Sequence, residues 1–318
     1  MDILLTGSVA YDYLMTFPGL FKEQILPERL EKISLSFLVD SMSRQRGGTA
    51  PNIAYTLALL GEHPRIMATG GEDFGEYRLW LESKGVDTAL MQVVPGLYTA
   101  SFFATTDQLN AQIASFYPGA MEAAAQQTLT DVRPRPDLVI VSPNAPEAMT
   151  KFAAECRELK IPYLYDPSQQ ILRLEGPELA RDMDGAQFLF VNDYEFELIS
   201  KKTGFDLGQI LQHVDVVVIT RGKDGSSIYA AGKEYNIPVV PEVQIADPTG
   251  VGDAYRAGFL IGYARGWGWE LCGQIGSLAA TYCLEQKGPQ NHSFTRLQFV
   301  KRFRQHFDDK GVLDFIIL

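Results

Sequence analysis

The sequence predicts an α/β fold: a mainly parallel central sheet flanked by helices, with a small β-sheet lid beside it. Three observations point there. After residue 130, short apolar runs at 137–141, 161–165, 187–191 and 215–219 alternate with helical stretches near 146–159, 194–200 and 206–212. A βα succession of this kind builds a parallel sheet covered by helices. The apolar run Ile3 to Val9, closing around Gly7 and Ser8, reads as a first buried strand. Strand-like pieces at 13–17, 34–41, 93–94, 99–104 and 113–117 bracket the first helix and can assemble into a separate small sheet.

The remaining elements follow in order. A helical pattern through Leu57, Leu59 and Leu60 is stopped by Gly61, and 65–69 is a further strand. Residues 74–81 are helical, ended by Gly85, since glycine enters the left-handed conformation that closes a helix. Segments 226–230 and 235–240 read as a late hairpin, and helices are expected at 251–264, 270–286 and 295–306. The expected division places 1–12, 47–88 and 118–318 in the main domain, and 13–46 and 89–117 in the lid.

Composition excludes some partners. The 318 residues carry 28 Lys plus Arg against 39 Asp plus Glu, a formal charge of −11, with no basic tail or stripe. Nucleic acid is therefore not expected as a partner, whereas a small phosphorylated ligand can still be held by backbone amides and Mg²⁺. Cys156, Cys272 and Cys283 form neither a zinc cluster nor a CxxC pair, which predicts reduced, buried thiols. No apolar run approaches the roughly 18 residues that span a bilayer. The stretch Met1–Leu5 has no basic segment, so a cytoplasmic location without membrane contact is expected.

The chemistry concentrates in Asp247-Pro248-Thr249-Gly250-Val251-Gly252-Asp253-Ala254-Tyr255-Arg256-Ala257-Gly258. Gly250 and Gly252 permit a tight turn that a ligand can approach. The helix that follows would aim free N–H groups and its dipole at an anion. A carboxylate beside an anion site is awkward unless it has work there, such as accepting a proton from a hydroxyl. Read by itself, the segment also serves as an ordinary helix cap.

The segment resembles the signature of the ribokinase-like carbohydrate kinases, the PfkB family, at Asp247, Thr249, Gly250, Gly252, Asp253, Ala257 and Gly258. Val251 and Arg256 depart from the small residues common there. The resemblance implies a kinase that moves the γ-phosphoryl group of ATP to a sugar hydroxyl. Asp253 would be the base, and the main chain of Gly250, Val251 and Gly252 the anion hole. It extends along the chain. Gly47, Gly48 and Asn52 resemble the family's sugar-contacting double-glycine segment, and Asp12 falls where the family carries an aspartate that grips hydroxyls. Asn192 and Glu195 match an Asn-x-x-Glu element that organises Mg²⁺, Glu195 acting through water; a capped helix start looks the same. Thr220, Gly222 and Gly225 resemble the nucleotide-side loop, where Arg221 or Lys223 would either add charge or be solvated. Ala280 and Gly288 would leave room for the purine of ATP, and Asp247 lies near the family's monovalent-cation site, which implies possible K⁺ activation.

Within the family, Gly7 to Asp12 and Gln108 to Tyr117 look like the adenosine and broad-specificity nucleoside kinases. Phe102, Phe116 and Tyr117 would stack on a base and Gln112 would bind its edge, or the aromatics would be lid core. Phosphorylation of a nucleoside 5′-hydroxyl is expected, with a free sugar such as ribose or fructose as the alternative and monomer or homodimer as the assembly. A dinucleotide oxidoreductase would need a spaced GxGxxG after the first strand, which Gly7-Ser8-Val9-Ala10 lacks. A noncatalytic sugar- or nucleotide-binding relative would have lost the base or the turn, and this chain keeps both.

Overall fold

A computed structural model describes residues 1–25, 31–32 and 34–317. The main sheet has eight strands: β1 (Ile3–Thr6), β4 (Arg65–Met67), β9 (Leu138–Val141), β10 (Tyr163–Tyr165), β11 (Phe188–Asn192), β12 (Val216–Thr220), β13 (Ser226–Ala230) and β14 (Lys233–Ile237). Their spatial order is β14-β13-β12-β11-β10-β9-β1-β4, parallel from β4 to β12 and antiparallel over the final hairpin. Alternate residues of each parallel strand feed two cores, because successive side chains leave a strand on opposite faces. Leu5, Ile140, Phe190 and Val218 enter one core, while Leu4, Val139, Leu189 and Val217 enter the other. That is why the strands read as continuous apolar runs rather than as alternating ones.

The first core is closed by the helices Thr49–Leu59, Val251–Ala264, Trp269–Leu284 and Arg296–Phe303, the second by Pro146–Leu159, Gly176–Met183 and Asp193–Thr203. Phe259, fully buried, packs edge-on against Phe188 and Phe190 and stacks on Trp269, which fastens the helix that starts at the signature segment to the sheet. No helix among the described residues is long and apolar enough to cross a membrane. All three cysteines are buried and free.

A second sheet has four strands, in the order β3 (Ser41–Gly47), β2 (Ala10–Thr16), β7 (Ala100–Thr106), β8 (Gln112–Tyr117). Two expectations change here. The strand expected over 34–41 is not there, apart from Ser41: 34–40 have no strand, and the edge strand is the polar stretch that follows. Most of this edge strand is exposed, so neither of its faces is buried enough to demand apolar alternation. The apolar Phe37 instead packs against Phe17 and Phe21. The piece at 93–94 does not join this sheet either; β6 (Gln92–Val93) pairs with β5 (Thr69–Gly70) as a two-stranded ribbon. Residues 26–30 and 33, within the expected lid range, lie outside the described residues.

Truncating Phe259 to alanine removes a ring shared by three aromatic neighbours. We expect a loss of about 3–5 kcal/mol in a urea unfolding titration; a loss under about 1 kcal/mol would contradict this packing account.

Candidate active site

The parallel strands all end at one edge of the main sheet, where open α/β folds place ligand loops. Ser8, Ser142, Asp166, Asn192 and Thr220 lie at or just beyond these ends. Thr49 ties the first of the flanking helices to them: its N–H donates to Ser8 Oγ at 3.2 Å, and its hydroxyl lies 3.0 Å from Ser142 Oγ. Just before Thr49, Gly48 has φ +94°, and a Cβ there would stand 2.4 Å from the Ser8 carbonyl oxygen. A Cβ on Gly47 would meet Asp12 Oδ2 at 2.7 Å. The double glycine thus lets the lid strand pass close over the end of β1 and gives the Asp12 carboxylate its place.

Asp253 sits in the first turn of Val251–Ala264, buried. Asn52 Nδ2 donates to its Oδ2 at 2.8 Å, and Arg256 NH1 stands 3.3 Å from its Oδ1. Burial pushes the Asp253 carboxyl up to about 6; Arg256 and the Asn52 hydrogen bond pull it down, and Glu195 pushes it up. Burial, with Asp247 adding repulsion, pushes Asp12 up to about 6 as well. Gly250 caps this helix at φ +77°, with Pro289 where a Cβ would go. Asp247 fastens the turn: Oδ1 accepts from Thr249 N and Oδ2 from Gly288 N, each at 2.9 Å.

Two cavities meet here. The larger, about 650 Å³, is lined by Asp12, Gly48, Asn52, Phe102, Phe116 and Asp253 among others. The smaller, about 420 Å³, contains Gly222, Gly225, Val251, Tyr255, Ala280 and Leu284 in its wall. Thr220 and Gly252 line both, so the two are adjacent there, and Asp253, next to Gly252, lines the larger.

Not every expected residue reaches a cavity. Gln112 is at the far end of the lid hairpin, opposite Thr106, where its Nε2 bonds the Thr106 hydroxyl. Phe116 and Phe102 are cross-strand partners on the cavity face; Tyr117, one residue on, is turned to the other face by the strand period. Gly47 and Gly288 act through the backbone, the Gly288 N–H holding Asp247. Arg221 bonds Ser227 and Tyr229 on the late hairpin, while Lys223 lines the smaller cavity. Asn52 is already committed on both amide atoms, since its Oδ1 accepts from Gln290 Nε2 at 2.7 Å.

Other residues of the larger cavity had no sequence signal: Met121, Ser168, Gln169, Gln170 and Arg173. They lie on 3₁₀ turns and loops, whose positions depend on the packed sheet. Gln170 is buried, and its Oε1 has no partner among the described residues.

Asn192 and Glu195 form a capping box: Glu195 N donates to Asn192 Oδ1 at 2.7 Å, and Asn192 N donates to Glu195 Oε2 at 2.8 Å. Both also line the larger cavity, and Glu195 Oε1 accepts from Ser168 Oγ at 3.2 Å. No cluster of three acidic, histidine or cysteine side chains suited to a metal occurs among the described residues. This donor set fits a hydrated Mg²⁺ carried by phosphates rather than an all-protein cage.

Known proteins resemble this chain in sequence and in fold. The sequence profile of the pfkB family carbohydrate kinases matches residues 6–296. The chain is 30% identical over 306 residues to the nucleoside kinase of Methanothermobacter thermautotrophicus, covering 95% of each. It superposes with TM-score 0.86 on the nucleoside kinase of Burkholderia thailandensis in complex with inosine, at 36% identity over 96% of this chain and 98% of that one. The nucleoside kinase of Methanocaldococcus jannaschii gives TM-score 0.87 at 28% identity, over 96% and 99%.

Gly48→Ala forces a left-handed residue against fixed backbone. It should cost at least about 1–3 kcal/mol in denaturant unfolding, and an unchanged midpoint would refute the close approach.

Proposed function

Since the chain belongs to the pfkB family of carbohydrate kinases and is an ATP-dependent kinase of the nucleoside and sugar class, we propose that its acceptor is the ribose 5′-hydroxyl of a nucleoside and that Asp253 takes the hydroxyl proton. One observation carries this reading: Asp253 lines the larger cavity directly beside Gly252, a residue that both cavities share. The larger cavity takes the nucleoside and the smaller the adenine end of ATP, so the hydroxyl and the γ-phosphorus meet beside the carboxylate.

The roles follow from chemistry. Asp12 accepts from ribose hydroxyls, and the backbone at Gly48 lies close enough to contact the sugar. Phe102 and Phe116 offer faces to a base. Gln170, in place of the distant Gln112, brings a carboxamide to the cavity wall; its Oε1 is buried without a partner, and a rotation of the side chain would let it accept from an exocyclic N–H or ring N–H. A bare pentose would leave this aromatic and amide wall wet, which favours the nucleoside over the free sugar. The Gly252 and Asp253 N–H groups at the helix start, capped by Gly250, face the transferring phosphoryl group, while the Val251 N–H is taken up inside the turn by the Pro248 carbonyl at 3.3 Å. Thr220, Gly222, Gly225 and Ala280 border the nucleotide.

In the reaction the acceptor O–H proton passes to an Asp253 oxygen as the hydroxyl oxygen bonds to the γ-phosphorus. The bond from that phosphorus to the β,γ-bridging oxygen breaks, and ADP leaves with those electrons. Asn192 and Glu195 would hold Mg²⁺ through its waters, and the ion supplies positive charge against the phosphates. Asp247 has both oxygens on backbone N–H groups, so a monovalent cation there would share an oxygen that already holds the turn.

Coupled ADP release with adenosine, inosine, guanosine, cytidine, ribose and fructose tests the substrate. Nucleosides should turn over, and activity on sugars alone would overturn the assignment. Asp253→Asn should lower kcat by about 10²–10⁴-fold with nucleoside affinity kept; near-normal turnover would remove Asp253 as base. The base works ionised, so kcat/KM should climb as pH rises through about 6, where burial places the Asp253 carboxyl. A flat profile between pH 5 and 8 would contradict that. Gln170→Leu should raise KM for the preferred nucleoside by about 10-fold or more and leave ATP KM in place; an unchanged nucleoside KM would take the base edge away from Gln170.

A further inference from the structure

Arg256 is the departure from the signature that the reaction above leaves unused. It is buried three residues beyond Asp253 on the same helix, and its guanidinium lies between two carboxylates. NH1 stands 3.3 Å from Asp253 Oδ1, and NH2 stands 2.9 Å from Asp166 Oδ1. Asp166 comes from another element, immediately after β10, and is fully buried. Arg256 is the one ion-pair partner of Asp166 among the described residues. Arg256 also borders the larger cavity, beside Gly252. A Cβ on Gly252 would come within 3.0 Å of NH1, so the signature glycine also leaves space for the guanidinium.

A buried ion pair is a poor fastener. Removing both charges from water costs several kcal/mol per ion, and apolar residues of similar volume often hold a fold as well. The geometry offers a different use. A carboxylate with one oxygen on Asn52 and the other on a guanidinium is fixed in plane and direction, and each oxygen keeps a lone pair for a hydroxyl proton.

We propose that Arg256 and Asp166 are positioning residues: Asp166 anchors the guanidinium from the end of β10, and the guanidinium aims the Asp253 carboxylate at the acceptor hydroxyl. The inference rests on the reading of Asp253 as the base. The groups facing Asp253 from its neighbours are Asn52, Glu195 and Cys283, with Asp166 behind Arg256. Asn52 is neutral, and burial pushes the Cys283 thiol up to about 12, so it is neutral as well. Arg256 is thus the cation that offsets Glu195 at Asp253. Without it the Asp253 carboxyl moves further up.

The test uses the full chain with a nucleoside and ATP, and four proteins: unsubstituted, Arg256→Lys, Arg256→Gln and the double variant Asp166→Asn with Arg256→Gln. Arg256→Gln should lower kcat by about 10²-fold, keep KM for both substrates, and shift the acid limb of kcat/KM to higher pH. Arg256→Lys should recover part of kcat and return the limb toward its original position. The double variant removes the orphaned Asp166 charge and leaves only Asp253 without its cation, so it discriminates even where Arg256→Gln unfolds; its kcat should stay low. Full turnover in the double variant would mean that any loss came from an orphaned Asp166, and would overturn the proposal. So would unchanged kcat in Arg256→Gln. Turnover absent from the unsubstituted protein, or intact in Asp253→Asn, overturns the reading of the base and this inference with it. Turnover in the unsubstituted protein that is lost in Asp253→Asn and kept in Arg256→Gln overturns this inference alone.

Discussion

The structure turns on one buried carboxylate. Asp253 is buried at the wall of the larger cavity, the role proposed for it needs it ionised, and an unpaired charge in such a place would cost several kcal/mol. The surrounding fold supplies the compensation. Asn52 reaches it from the helix Thr49–Leu59 and Arg256 from its own helix. Asn52 is held in turn: Gln290 Nε2 donates to its Oδ1 and, at 2.6 Å, to Tyr77 OH, which donates to the Gly47 carbonyl at 2.9 Å. This chain links the signature helix, the first core helix, the segment after Trp269–Leu284 and the edge strand of the small sheet. A side chain in such a network has little freedom to swing, so its hydrogen-bonding directions are set before a ligand arrives.

The same network explains why the small sheet is close to the site. β2 leaves the end of β1 within four residues, carrying Asp12, and β3 returns to Gly47 directly before the core helix. Both connections are short, and the Gly48 backbone conformation keeps the second tight. Asp12, Gly47 and Gly48, the residues proposed to face the sugar, therefore lie where the two sheets meet, and their positions depend on both.

Sequence made the large sheet legible because its strands are buried on both faces and so read as unbroken apolar runs. The turn at Gly250 to Asp253 was legible because glycine, aspartate and a following helix have few other uses in that order. Strand Ser41–Gly47 was not, because a polar edge strand lacks the apolar pattern, while Phe37 nearby mimicked one by packing in a loop cluster. Gln112 and Phe116 were read together as base contacts, but they are four residues apart on one strand and only the second reaches the cavity. Gln170 and Arg173 carried no signal at all, because a 3₁₀ turn after β10 acquires its direction from tertiary packing. Asn192 and Glu195 show a different limit: the cap and the cavity-lining position are the same atoms in the same place, so the two uses are compatible rather than exclusive.

Val251 and Arg256, the two departures from the signature, act on opposite sides of the turn. Val251 is the first helical residue after the Gly250 cap, and its side chain belongs to the smaller cavity with Tyr255 and Ala280. An anion hole built from main-chain N–H groups does not require a small side chain at that position, provided the side chain leaves the groove, and here it does. Val251 therefore narrows the smaller cavity and does not line the larger one. Arg256 lies below the other side, against Asp253, in the space that Gly252 keeps open. A Cβ at 252 would press on the guanidinium at 3.0 Å, so the arginine would have to shift slightly, whereas the side chain at 251 meets the smaller cavity. The tolerance of the turn is asymmetric: glycine at 250 is set by its positive φ and by Pro289, the contact at 252 is tight but falls on the end of a long side chain, and neither constraint falls on the residue between them.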